Sequence, residues 1–142
     1  MAKKLKDLMK EIINLDYDSK LNTAGEAFDD LVDVLLYHGY DKEEITSLVA
    51  DLIRLFASAD NILSKKEYEF ANELFELGIS YEEFCKKCSF GSSKGFIKTI
   101  DEIIDTLSIY EKYPISILGI CIFSVDGNIS IKEQELLMKL LY

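Results

Sequence analysis

Apolar residues recur at three-to-four spacing along almost the whole chain, the period of an α-helix with one buried face. Leu5, Leu8, Met9, Ile12 and Ile13 predict a first helix that ends near Asp16. Thr23 with Glu26 has the form of a capping box, in which a hydroxyl and a carboxylate satisfy each other's backbone N–H groups, and predicts the start of a second helix. Phe28, Leu31, Val32, Leu35 and Leu36 would be its buried face and Gly39 its stop. Asp41 with Glu44 opens a third helix through Ile45, Leu48, Val49, Leu52, Ile53 and Phe56 to about Ala59. Ser64 with Glu67 opens a fourth that Gly78 ends, and Ser80 with Glu83 a short fifth through Phe84 and Cys88.

The stretch FGSSKG, Phe90 to Gly95, is the most loop-like in the chain and divides it into two parts. Beyond it, Phe96, Ile97, Ile100, Ile103, Ile104 and Leu107 mark a sixth helix. Pro114 stands where a first-turn proline opens a seventh through Phe123, and Ser130 with Glu133 starts the last. No segment alternates with period two for long enough to demand a strand. The expectation is an all-α, single-domain bundle of seven or eight helices over residues 1–142. N-terminal helices would occupy residues 1–40, a first half 41–88, a loop 89–95 and a second half 96–142.

Composition narrows the field. A chain of 142 residues supports one core that buries roughly 68% of the unfolded surface. Hydrophobic residues at 49% and a mean hydropathy of +0.06 exclude bulk disorder, and a single Pro suits long helices. The formal net charge of −10 repels phosphate backbones, so nucleic acid is not an expected partner. Charge is uneven: Lys3, Lys4, Lys6 and Lys10 crowd the start, whereas Glu11 to Asp51 holds eleven acidic residues and two lysines. The longest apolar run, Ile115 to Val125, is about half the roughly 20 residues of a transmembrane helix and reads as a core helix. Three cysteines and no export signal lead to the expectation of a cytoplasmic protein with reduced thiols.

An internal repeat is more informative than any single motif. A shift of 66 positions lays FASADNILSKKEYE, Phe56 to Glu69, on IFSVDGNISIKEQE, Ile122 to Glu135. Identities fall at Ser58 and Ser124, Asp60 and Asp126, Ser64 and Ser130, Lys66 and Lys132, Glu67 and Glu133, and Glu69 and Glu135, with Leu63 and Ile129 as apolar equivalents. Each copy reads as helix, Asp-containing turn, Ser cap and helix, so two related helix-turn-helix halves are expected.

These motifs resemble the TerB-like proteins of tellurite-resistance and related stress operons, a family that also includes the N-terminal region of some membrane-anchored co-chaperones. The similarity covers roughly Ile45 to Tyr142. VDGNISIKEQE follows the family's pattern fully, whereas ADNILSKKEYE has Asn61 in place of Gly, a swap the left-handed turn tolerates. The resemblance implies a bacterial stress-response protein without enzymatic activity. It also implies that the paired acidic motifs, Asp60 and Glu67 with Asp126 and Glu133, bind a metal ion.

Read for their own chemistry, the motifs reproduce the second half of an EF-hand loop, with Asp followed seven residues later by Glu. The first half is missing, so neither copy supplies the six or more oxygens of a tight calcium site, but two facing copies could. Four carboxylates, helped by Asn61 and Asn128, are hard ligands that favour calcium, magnesium or manganese. The same residues also read, with no ion, as caps and turns.

Other candidates are weaker. Cys85 and Cys88 form CKKC without the strand-to-helix context of a thiol redox site or a second pair for zinc. Cys121 reads as a core residue and His38, the only histidine, as a helix-end residue. FGSSKG does not match a phosphate loop, and no nucleophilic triad can be assembled. Two functions follow as expectations: an ion-binding interaction or scaffolding module with a protein partner, or an ion-independent interaction domain whose acidic face from Asp29 to Glu44 docks a basic partner.

Overall fold

In the computed structural model, residues 5–57, 64–76, 78–88, 94–127 and 129–141 are described, the side chains of 57, 87, 88, 94–99 and 141 excepted. Eight α-helices occur among them and no strand: α1 (Leu5–Ile13), α2 (Tyr17–Tyr37), α3 (Lys42–Ala57), α4 (Lys65–Phe75), α5 (Tyr81–Cys88), α6 (Lys94–Asp105), α7 (Tyr113–Phe123) and α8 (Ile131–Leu141). A 3₁₀ turn, Ser124–Asp126, follows α7 directly. The fold is all-α.

The hub is α7. Its sequence, YPISILGICIF, has no polar face, and every residue from Pro114 to Phe123 except Ile117 is buried. A helix apolar all round must be enclosed by others, and α1, α2, α3, α4 and α8 all pack on it. Gly119 makes the closest approach possible: a Cβ there would stand 2.8 Å from Leu137 Cδ2 and 3.1 Å from Phe56 Cε1. Phe56 also meets Phe123 edge to face at 5.4 Å, tying the end of α3 to the end of α7.

Polar contacts at both ends fix the largest pairing, α2 on α7. Near the start of α2, the Lys20 ammonium donates to the Ser124 carbonyl at 2.8 Å. Past the end of α2, His38 Nε2 meets Glu111 Oε2 at 2.6 Å, just ahead of α7. The two helices are therefore antiparallel. Lys20 is buried, and its charge meets the carbonyl end of α7, where a cation is favoured.

Several expected boundaries need correction. Thr23 and Glu26 open nothing, because α2 has already begun at Tyr17, capped by Asp16, whose carboxylate accepts the Ser19 N–H at 2.7 Å. The buried stripe Lys20, Ala24, Ala27, Leu31 and Leu35 runs through the supposed cap without a break. α1 ends at Ile13, short of Asp16. α4 ends at Phe75, where Glu76 takes a left-handed conformation before Gly78 is reached. α6 starts at Lys94 and ends at Asp105, so the last two residues of the expected loop 89–95 are helical; residues 89–93 lie outside the described residues, as do Ser58, Ala59 and Lys3 and Lys4.

The 66-residue offset extends to the helix bounds. α3 ends at Ala57 and α7 at Phe123, while α4 spans Lys65–Phe75 and α8 Ile131–Leu141.

Candidate functional site: the two acidic turns

The second turn is built from local rules. α7 runs into the 3₁₀ turn Ser124–Asp126, and Gly127 closes it at φ +93°, donating its N–H to the Ser124 carbonyl at 2.9 Å. Such a φ is strained for any residue with a Cβ. Asp126 is exposed on this turn. Ser130 then opens α8 by a reciprocal cap: its N–H donates to Glu133 Oε1 at 2.8 Å, and its hydroxyl oxygen accepts the Glu133 N–H at 3.1 Å.

At the first motif, Ser64 stands in extended backbone ahead of α4 and its hydroxyl oxygen accepts the Glu67 N–H at 3.0 Å. Asp60, Asn61 and Leu63 lie outside the described residues, as does Asn128 in the second copy. The fold brings the halves together, because α4 packs directly on the 3₁₀ turn of the other motif.

Burial separates these two glutamates from similar ones. The Asp/Ser-x-x-Glu pattern caps a helix or turn five times: Asp41 with Glu44, Ser64 with Glu67, Ser80 with Glu83, Ser108 with Glu111, and Ser130 with Glu133. Glu44 and Glu83 are exposed and Glu111 half-buried, but Glu67 is only 5% and Glu133 only 4% exposed. Burying a carboxylate costs several kcal/mol unless partners compensate, so enclosure sets these two apart from the solvated caps. Glu67 also lies beside Tyr81, whose hydroxyl is held above its usual pKa by a hydrogen bond with the Cys85 side chain first, then by burial and by the Cys85 and Glu67 charges.

Among the described residues no three His, Cys, Asp or Glu side chains gather as a metal-binding group, so Glu67, Asp126 and Glu133 do not form one. Cys85 is half-buried against Tyr81, and the side chain of Cys88 lies outside the described residues. Cys121 is fully buried in α7, which pushes its thiol up to about 12 despite the nearby Lys20 ammonium.

Two features escape the sequence reading. Lys20 is one; the signal was its place on the stripe with Ala24 and Ala27, one turn ahead of the first and two ahead of the second. The other is Glu111, which receives the Ser108 N–H at 2.9 Å and contacts His38, two interactions that together keep its carboxyl below its usual range. An open groove of about 360 Å³ between α3 and α6 is lined by Glu43, Glu44, Ser47, Leu48, Asp51 and Ile103. Burial raises the Asp51 carboxyl there, opposed by Arg54 at 3.7 Å.

No family model, no curated protein and no solved structure matches this chain.

Proposed function

We propose that this protein is a non-enzymatic interaction module, similar to TerB-like stress-response proteins, in which two acidic turns share one hard divalent cation and present a surface to a protein partner. The observation that carries this reading is the burial of Glu67 and Glu133, at equivalent repeat positions, beside the packing of α4 on the opposite turn. Asp60 and Asp126 would complete the donor set, which suits calcium, magnesium or manganese; because Glu67, Asp126 and Glu133 are not gathered beforehand, the ion would draw the two turns together as it binds. A carboxylate offers about four lone-pair sites, so the oxygen that caps α8 does not remove Glu133 from that set. No helix among the described residues is long and apolar enough to cross a membrane; a cytoplasmic setting belongs to the same proposal.

The ion-independent reading is favoured by a different observation, the complete Ser130–Glu133 cap together with the exposure of Asp126. Thermal unfolding of chelator-stripped protein separates the two. Calcium, magnesium or manganese at 100 times its dissociation constant adds about 2.7 kcal/mol, which raises Tm by several degrees at this size. Asp60→Asn and Asp126→Asn each abolish the shift if both turns hold one ion. An unchanged Tm with all three ions refutes the metal site and leaves the acidic face as the functional surface.

A further inference from the structure

Among the described residues large apolar side chains are exposed in few places, and four of them flank the His38–Glu111 contact. Leu36 and Tyr37 end α2, and Ile109 and Tyr110 lie in the turn ahead of α7; their exposures are 49, 86, 53 and 65%. These segments are far apart in sequence. The His38–Glu111 contact at 2.6 Å joins them, and the Tyr37 ring meets the His38 ring edge to face at 5.8 Å. The other large apolar side chains exposed among the described residues are scattered: Tyr17 is tied by its hydroxyl to Glu73, and Ile131 and Met138 stand two turns apart on α8.

The charge along the exposed side of α2 that leads to this cluster has one sign. Glu26, Asp29, Asp30 and Asp33 are exposed on α2 and lead, turn by turn, to Tyr37. α2 has no exposed base, since its one lysine, Lys20, is buried. Two tyrosines and two aliphatic side chains provide anchoring area of the kind that dominates interfaces, and the acidic strip gives it polarity.

We propose that this surface docks a cationic amphipathic helix of a partner protein, its apolar side seated on Leu36, Tyr37, Ile109 and Tyr110 and its basic side along the acids of α2. Charge decides among occupants. A second copy would bring another net −10 against the same strip, and an anionic membrane would meet like charge. A helix with lysines or arginines flanking an apolar stripe satisfies both features at once. This names the partner class for the interaction-module reading on which it rests, and it does not require the ion.

The test uses a synthetic leucine–lysine amphipathic helix of about four turns, titrated into the full chain with amide NMR shifts recorded, in chelator and again in calcium. Shifts centred on Leu36, Tyr37, Ile109 and Tyr110 are expected, with the same affinity in both buffers and a loss as salt rises. Tyr37→Ser combined with Tyr110→Ser weakens binding about tenfold or more; both side chains are exposed, so an unchanged Tm reports an intact fold. Asp29→Asn with Asp33→Asn weakens binding and flattens its salt dependence. Equal binding of a scrambled peptide of the same composition overturns the proposal. So do shifts centred on the α3–α6 groove, absence of binding, a dimer that Tyr37→Ser dissociates, or capture of the patch by anionic vesicles. An ion-dependent Tm shift without peptide binding would sink this proposal alone, and peptide binding without that shift would sink only the shared ion.

Discussion

Two helical glycines make the same substitution a test of opposite outcomes. Gly25 lies in the interior of α2, and a Cβ there meets only Leu74 Cδ1, at the ordinary contact distance of 4.0 Å. Gly119 lies in the interior of α7, where a Cβ falls 2.8 Å from Leu137 and 3.1 and 3.2 Å from the Phe56 ring. Ala is favoured over Gly inside a helix by about 1 kcal/mol, and that gain is common to both sites. Leu137 and Phe56 are fully enclosed, so neither can swing aside, and overpacking costs about 1–3 kcal/mol. Gly25→Ala is therefore expected to stabilise by up to about 1 kcal/mol. Gly119→Ala ends about 1–3 kcal/mol less stable than Gly25→Ala, a gap equal to the packing penalty alone. Urea unfolding at constant m-value measures both, and for this chain length each kcal/mol corresponds to about 3–4 °C in Tm. If Gly119→Ala stabilises as much as Gly25→Ala, then α3, α7 and α8 do not converge at this glycine, and the packing described for the hub is wrong.

Alkaline unfolding isolates two buried groups that act in opposite directions. Burial raises the Cys121 thiol from 9.0 to about 12, so the folded state keeps a proton the unfolded state releases; stability falls by about 1.4 kcal/mol per pH unit within that window. Burial lowers the Lys20 ammonium below 10.5, so its contribution rises as pH climbs from that lowered value through 10.5. Cys121→Ala should flatten the decline above pH 9 and Lys20→Met should steepen it, both read from denaturant midpoints across pH; a wild-type slope in both variants contradicts the burial of these groups. At the start of α2, Asp16→Ala should lower Tm whereas Thr23→Ala leaves it nearly unchanged. Because the Asp16 carboxyl is held low by the Ser19 backbone N–H first and its side chain second, its contribution is present above the ordinary 3.8 and lost as pH falls through its lowered value. Tm values at pH 7 and pH 3 for the two variants check this.

What the sequence made legible was local. Asp41, Ser64, Ser80 and Ser130 cap as expected because a cap is decided within four residues, by a hydroxyl or carboxylate and a nearby N–H. The same signature misled at Thr23 and was overlooked at Ser108. At Thr23 the local signal competes with a stripe of apolar contacts extending back to Lys20, and burial along the whole stripe outweighs one cap. A buried lysine contradicts hydropathy, and only the antiparallel seating of α2 on α7, a tertiary fact, supplies the carbonyl that receives it.

The acidic motifs divide along the same line. Their spacing, repeat register and turn chemistry are sequence properties, and the helix bounds follow the same 66-residue offset. The property that distinguishes Glu67 and Glu133 from Glu44 and Glu83 is burial, which no four-residue pattern encodes. It is a tertiary property, like the seating of α4 on the turn of the opposite half, which an isolated helical hairpin would lack. A pure capping role predicts that replacing either glutamate by Gln, which preserves a side-chain acceptor for the cap, leaves stability nearly unchanged with or without cations. A shared ion needs the charge itself: Glu67→Gln and Glu133→Gln should each remove the cation-dependent rise in Tm. Retention of the full rise in both variants would assign these carboxylates to caps, and the repeat would then persist for packing alone.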